Sequence, residues 1–466
     1  MKTIASGFFI LLFILLVACL SACNKPDFES KEQPGGIAQD AMMSQSLVST
    51  KPNILLLVAD DVGYEVPTYT GGQSYQTPHI DSLAKAGRQF TDANSCPNCS
   101  PSRQSFLTGK YNNQNYVQWG TMLRDQKTIA NMLKSAGYAT AVSGKWQLDG
   151  GADAIKDFGF GDYLVFLPFN GGDESEENKG RYKDPILYQN GAFLPQSATK
   201  GKYADDMFVD FTSKFIDSVT KKTTKPFFVY HSFSLAHMPF SPTPDDPEYA
   251  TWDFADKASN KKWFPSMVKY LDKEVGKLMD TLKKKNLLNN TIVIFYGDNG
   301  TPNSITSMWK NLSINGGKNE TYVYGTHVPF IVAGAGITPG VKNNMIDFTD
   351  ILPTLADLAG IPRPAQFGHL DGMSFYGAIR DVPFTTRDST YLYYKPMYAP
   401  KGTRFKIFAR QSQYKKYDST YNNNFFDIIN DPLEQHPITT LTNEQTQIKI
   451  YLNKIIRHQN KYTGTE

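Results

Sequence analysis

Four cysteines in 466 residues are too few for a disulfide-built scaffold. Two of them, Cys19 and Cys23, sit in an apolar N-terminal stretch, so only Cys96 and Cys99 remain for the folded chain. A zinc site made wholly of thiolates needs four, which leaves the Cys96-x-x-Cys99 spacing as a disulfide or half of a metal site at most. Charge of one sign is missing too. The 48 basic and 45 acidic residues give a formal charge of +3, which provides no bulk attraction to nucleic acid. Residues 8–20 form the longest apolar run at the N-terminus, about 13 residues and too short for a typical membrane-spanning helix. No internal repeat is present.

That short run has the shape of a secretory signal, with Lys2 before it and Leu20-Ser21-Ala22-Cys23 after it. The last four residues resemble a bacterial lipobox, with residues 1–22 removed and Cys23 lipidated; an ordinary signal peptide cut nearby is the alternative. The expectation is an exported bacterial lipoprotein, periplasmic or on the cell surface, anchored to the membrane through Cys23. Residues 23–51 are polar and aperiodic and read as a flexible tether. The remainder of the chain exceeds one usual domain. The expected division is a large domain over residues 52–372 and a smaller subdomain over residues 373–466.

Residues 53–59 form a continuous apolar run typical of a strand buried on both faces, and it ends in Asp60-Asp61. The pattern recurs at residues 291–295, which lead into Gly297-Asp298-Asn299-Gly300. Open α/β sheets bind ligands at the carboxyl ends of such strands. Three carboxylates and one amide oxygen form a hard ligand set suited to Ca²⁺ or, less well, Mg²⁺. Amphipathic helices are expected over residues 77–87, 128–137, 267–288, 347–360 and 443–457, with strands over 139–142, 225–233, 328–333, 390–394 and 404–409. His79, at a helix start, and His231, within a strand, read as structural. Residues 150–203, containing the charged stretch 173–179, read as a long irregular segment, either an insertion near the pocket mouth or a solvated loop.

The most specific stretch is Cys99-Ser100-Pro101-Ser102-Arg103, which runs on to Thr108-Gly109. Pro101 suits the first turn of a helix, and that puts position 99 at a helix N-terminus, where free N–H groups favour an anion. Arg103 stands one helical turn on, within reach of the side chain at 99. The run resembles the signature at which type I sulfatases, members of the alkaline-phosphatase-like superfamily, have a cysteine oxidised to formylglycine. The resemblance extends over about residues 52–435. It implies a doubly wound, mainly parallel α/β sheet flanked by helices, with a C-terminal α+β subdomain of antiparallel sheet and helix.

It also implies roles. Cys99, as hydrated formylglycine, would carry two hydroxyls: one attacks sulfur, and the second expels sulfate and regenerates the aldehyde. Asp60, Asp61, Asp298 and Asn299 would hold one Ca²⁺ next to residue 99. Arg103, Lys145 and Lys318 would stabilise charge, and His237 would protonate the leaving alcohol. Where the family step is usually Gly-Lys-Trp-His, this chain has Gly144-Lys145-Trp146-Gln147. An amide is no useful base near neutral pH, so either Gln147 only positions the diol and another group takes the proton, or turnover is slower. The expected substrate is a sulfated small molecule or glycan, and a formylglycine-generating or anaerobic sulfatase-maturating enzyme is an implied partner. The competing readings are a phosphonate or phosphate ester hydrolase with the same nucleophile and a catalytically weakened glycan-binding lipoprotein.

Overall fold

The computed structural model describes residues 51–115, 120–148, 153–166, 180–254, 259–362, 367–394, 397–410 and 424–459. The export segment with Cys19 and Cys23, the tether up to residue 50 and the charged stretch 173–179 lie outside the described residues. Among the described residues no helix is long and apolar enough to cross a membrane.

Along the chain come β1 (Asn53–Ala59), β2 (Gly87–Asn94), β3 (Ala139–Lys145), β4 (Asp162–Phe166), β5 (Tyr188–Gln189), β6 (Ala192–Phe193), β7 (Phe227–Ser232) and β8 (Thr291–Gly297). Next come a separate hairpin, β9 (Thr306–Trp309) and β10 (Leu312–Asn315), then β11 (Phe330–Gly334) and β12 (Gly340–Asp347). The main sheet has the order β12-β2-β11-β8-β1-β7-β3-β4-β5-β6. Its centre, β8-β1-β7-β3-β4, is parallel throughout. Antiparallel pairs join β11 to its two neighbours and β5 to β4 and β6, so the whole sheet is mixed. Parallel central strands place their carboxyl ends on one edge, and that edge carries the site.

The strands are apolar on both faces because helices cover both. Ile54, Leu56 and Val58 of β1 point into a core shared with Phe106 and Leu355, while Leu55, Leu57 and Ala59 point into one shared with Leu83, Ile216 and Leu271. Each such leucine or isoleucine contributes about 1.5–3 kcal/mol by leaving water. The covering helices are α1 (Pro78–Ala86), α2 (Cys99–Thr108), α3 (Ile129–Ser135), α4 (Ala204–Lys222), α5 (Phe264–Lys284) and α6 (Ile351–Leu358). His79 is structural, as expected: its backbone N–H donates to Asp272 and its ring lies against Gly276. His231 is fully buried in β7, with Nδ1 hydrogen-bonded to Thr212 at 2.8 Å.

Several expectations change in detail. The helix drawn over residues 267–288 spans Phe264–Lys284, and the strand drawn from residue 328 begins at Phe330, since Pro329 has no N–H for the ladder. Residues 150–203 are not irregular throughout, because β4 joins the sheet parallel to β3 and β5 and β6 extend its edge. Such short pieces carry too little periodicity to read. In the C-terminal part, β13 (Ser389–Tyr394), β14 (Met397–Gly402), β15 (Phe405–Arg410) and β16 (Asn424–Asp427) form an antiparallel meander. Leu452 and Ile456 of α7 (Asn443–Gln459) close its core against Tyr391, Ile407 and Phe425.

Candidate active site

Asp60 and Asp61 leave the end of β1, and Asp298 and Asn299 leave the end of the adjacent β8. The Asp298 N–H donates to Ala59 O at 2.9 Å, which continues the ladder one residue past the strand and fixes the two acidic turns side by side. Asp61 has φ of 62°, a left-handed conformation that a non-glycine residue holds only when its surroundings enforce it. Here its N–H donates to Asp298 Oδ1 at 3.0 Å, and its Oδ1 accepts from Asn299 Nδ2 at 2.8 Å.

Cys99 is the first residue of α2 and is fully buried. Its thiol donates toward Gln147 Oε1 at 3.3 Å, with Asn98 Oδ1 at 3.5 Å. Ser100 Oγ donates to Gln147 O at 3.2 Å, which ties the segment just beyond β3 to the helix start. Gln147 also lies in the left-handed region, at φ of 50°. Gly144, two residues before Trp146, must be glycine: at φ of +105° a Cβ there would stand 1.7 Å from Ser232 O. Cys96 and Cys99 are both free, which overturns the disulfide reading of that pair. Cys96 Sγ instead faces Ser105 Oγ at 3.6 Å, and burial pushes its thiol up to about 12. Burial also raises the Cys99 thiol, against the pull of Lys145 and Lys318.

Each carboxylate holds a cation. Lys145 Nζ lies 2.7 Å from Asp60 Oδ2, Lys318 Nζ 2.7 Å from Asp61 Oδ2, and Arg103 Nη2 2.7 Å from Asp298 Oδ2. Arg103 also donates to Lys145 O, to the Tyr230 hydroxyl at 2.7 Å and to Ser232 Oγ. Its hydrogen bonds thus brace the carboxylates, and none of them reaches back to the side chain at 99 as helical spacing alone suggested. Burial works against the ionised form of Asp60, yet Lys145 and Arg103 overcome it and hold this carboxyl below its usual range. Asp298 goes the other way, pushed up to about 6 by burial and by Asp60 despite Arg103. The difference lies in the balance at each group: the cations around Asp60 outweigh its burial, whereas for Asp298 burial is the larger effect.

The ligand geometry fits a hard cation. Asp60 with Cys99 and Asp298, and Asp60 with Asp61 and His237, bring their ligand atoms within 4.8 Å of one another. Asp60 Oδ1 and Asn299 Oδ1 are buried with no hydrogen-bond partner among the described residues. Such orphaned oxygens cost free energy unless something satisfies them. A divalent ion would, and Asp60, Asp61, Asp298 and Asn299 offer it oxygen donors.

His237 sits beyond β7 with Nε2 3.8 Å from Asp61 Oδ2. Its Nδ1 hydrogen-bonds Met238 O, which fixes the neutral tautomer with a bare Nε2 facing the carboxylates. Burial, reinforced by Lys318, Arg181 and Lys145, holds its pKa well below the usual histidine value. Arg181 itself was missed by sequence reasoning. It is fully buried with Nη1 3.7 Å from Asp60 Oδ2, and the only signal for it was its place in the 150–203 segment. The ten residues singled out from sequence, Asp60, Asp61, Cys99, Arg103, Lys145, Gln147, His237, Asp298, Asn299 and Lys318, therefore share one site. Three acids and four cations leave it net positive, a suitable setting for an oxyanion.

Comparisons with known proteins give the family of the chain. A sequence model of the sulfatase family matches residues 52–361. The chain is 31% identical over 428 residues to an N-acetylgalactosamine-6-O-sulfatase of Bacteroides thetaiotaomicron, covering 76% of this chain and 81% of that one. It is 28% identical over 450 residues to human arylsulfatase A, covering 89% and 84%. The solved structure of Ps i-CgsB in complex with k-i-k-neocarrahexaose superposes with a TM-score of 0.70 at 26% identity, covering 89% of this chain and 93% of that one. A family match over most of the folded chain, on a mixed α/β sheet whose strand ends gather these acids and cations around Cys99, makes the protein a member of the sulfatase family of the alkaline-phosphatase-like superfamily, the sulfuric ester hydrolases.

Proposed function

We propose that the chain releases sulfate from a carbohydrate sulfate ester, using formylglycine made from Cys99 and a Ca²⁺ held by Asp60, Asp61, Asp298 and Asn299. The observation that carries this reading is the placement of Cys99: fully buried at the start of a helix, within ligand distance of Asp60 and Asp298 and in contact with Gln147. When bound, the metal supplies a Lewis acid that polarises a sulfate oxygen and lowers the pKa of the neighbouring hydroxyl. The chain supplies the rest. Lys145 and Lys318 bind the oxyanion, and Gln147 orients the side chain at 99 through its amide. His237 handles a proton at Nε2. It is held neutral by burial and by the cations around it, so an incoming sulfate that offsets those cations favours its protonation, and the alcohol leaves with that proton.

A glycan is favoured as substrate by the relatives, one an N-acetylgalactosamine-6-O-sulfatase and one solved with a neocarrahexaose. Maturation then needs a formylglycine-generating or anaerobic sulfatase-maturating enzyme. Export and a lipid anchor at Cys23 rest on Leu20-Ser21-Ala22-Cys23 alone, and the mass of the mature N-terminus tests them. For the reaction, protein made with the maturation enzyme should lose about 18 Da at Cys99, the difference between thiol and aldehyde. It should release sulfate from members of a sulfated mono- and oligosaccharide panel and prefer an aryl sulfate to the matching aryl phosphate. Full activity with an unmodified Cys99 would defeat the nucleophile assignment.

A further inference from the structure

Arg181 is the cation of the site with no hydrogen bond among the described residues. Its Nε, Nη1 and Nη2 are all buried without an acceptor, while Lys145, Lys318 and Arg103 each hold a carboxylate oxygen at 2.7 Å. The nearest anion, Asp60 Oδ2, is 3.7 Å from Nη1 and already accepts from Lys145. The guanidinium lies over the Phe166 ring, 4.9 Å from its centroid, a contact that orients the fork without using any of its N–H groups. A buried arginine in this state is destabilising unless an acceptor arrives.

The neighbouring residue shows that the position is held. The Tyr182 hydroxyl bridges Ser234 O, at 2.8 Å, and His237 O, and its ring stacks on Tyr203. The Ser234 N–H in turn donates to the buried Asp205 at 2.9 Å. The 181–182 step is therefore fastened to the loop that presents His237, and Arg181 faces the Asp60 corner of the site from there. Its fork is the geometry that pairs with two oxygens of one anion.

Building on the sulfate-ester reading, we propose that Arg181 is a substrate-binding residue whose guanidinium hydrogen-bonds oxygens of the sulfate group itself and thereby sets affinity for the anion. It is a ligand of the ground state and of released sulfate alike, so it governs KM and product inhibition more than kcat.

The test uses matured, metal-loaded enzyme and inorganic sulfate as the probe, with Arg181→Met, Arg181→Gln and Arg181→Lys. Calorimetry of sulfate binding, inhibition by sulfate and KM for one sulfate ester are read together with metal content and Tm. Arg181→Met and Arg181→Gln should weaken sulfate binding and raise KM by the same factor, about 10- to 100-fold, with partial recovery in Arg181→Lys. Tm of the ligand-free protein should hold or rise in Arg181→Met, because an unsatisfied buried charge has been removed. If Arg181→Met does not fold, Arg181→Lys and Arg181→Gln still give the comparison. Unchanged sulfate affinity in a folded variant would overturn the proposal, as would a loss that only tracks lost metal. A wild-type enzyme that neither binds sulfate nor cleaves any sulfate ester would instead overturn the functional reading beneath it.

Discussion

Arg103 Nη2 and Asp298 Oδ2 stand 2.7 Å apart with no solvent exposure on either side chain. The pair joins the helix that carries residue 99 to the strand end that supplies two of the proposed metal ligands. Because Arg103 also holds Tyr230, Ser232 and the Lys145 carbonyl, one side chain ties β7, β3 and β8 to α2. The nucleophile and the ligand set are thereby positioned relative to each other by a single buried guanidinium.

Removing that guanidinium strands a buried carboxylate, so Arg103→Met should destabilise the protein by about 3–5 kcal/mol in urea unfolding. Asp298→Ala is expected to behave differently. It should abolish tight Ca²⁺ binding and turnover together, because one of three carboxylate ligands is gone. It should cost less stability, since Arg103 keeps a second carboxylate, Asp60, at 3.8 Å. Calcium titration by calorimetry, beside urea unfolding of each variant, checks both, and activity that survives thorough chelation would contradict the metal assignment.

What could be read in the sequence is what short, local patterns encode. The two buried strands ending in Asp60-Asp61 and Asp298-Asn299 announce their own ligands, because a strand apolar on both faces must end where polar residues begin. Cys99 to Arg103 announces a helix start in the same way. What could not be read is set by long-range packing. Helical spacing put Arg103 near the side chain at 99, but the carboxylate 195 positions away competes better for the guanidinium. Arg181 carries no local motif at all: it becomes a site residue only because Tyr182 fastens it to the His237 loop. The edge strands β5 and β6 have two residues each, below any length at which periodicity can be counted.

Acid should weaken the fold through His231. Burial lowers its pKa to about 3, against an ordinary value of 6.5 in the unfolded chain. Between those values the unfolded state binds one more proton than the folded state, so stability rises with pH across the window and falls as pH drops below 6.5. The slope is about 1.4 kcal/mol per pH unit for this one group. Asp205 acts oppositely, since burial raises it to about 8 and it favours the folded state at low pH. The clean measurement is therefore a difference: wild type minus His231→Asn, by urea unfolding at about pH 7 and about pH 5, which bracket the ordinary histidine value. The stability advantage of wild type should shrink by about 2 kcal/mol over that range. An unchanged difference would mean that the imidazole titrates in the folded protein as it does in the unfolded chain.

Gln147 stands where the resemblance to sulfatases leads one to expect a histidine, and the structure gives that position a definite geometry. Its backbone is held in a left-handed conformation, its carbonyl accepts from Ser100 and its Oε1 faces Cys99 Sγ. An amide so placed can orient a hydroxyl on residue 99 but cannot carry its proton away. Gln147→Ala should therefore lower kcat by roughly 10- to 100-fold, less than the loss of a general base brings. Gln147→His places an imidazole among the same cations that help hold His237 neutral, so its pKa should also fall below the ordinary value near 6.5. Such a histidine is a free base at about pH 7, and the rate should rise with pH through its depressed pKa and level off before neutrality. The pH profile of kcat for wild type, Gln147→Ala and Gln147→His on one sulfate ester decides the matter. If Gln147→Ala keeps the wild-type kcat and raises only KM, the amide binds substrate and does not orient the nucleophile.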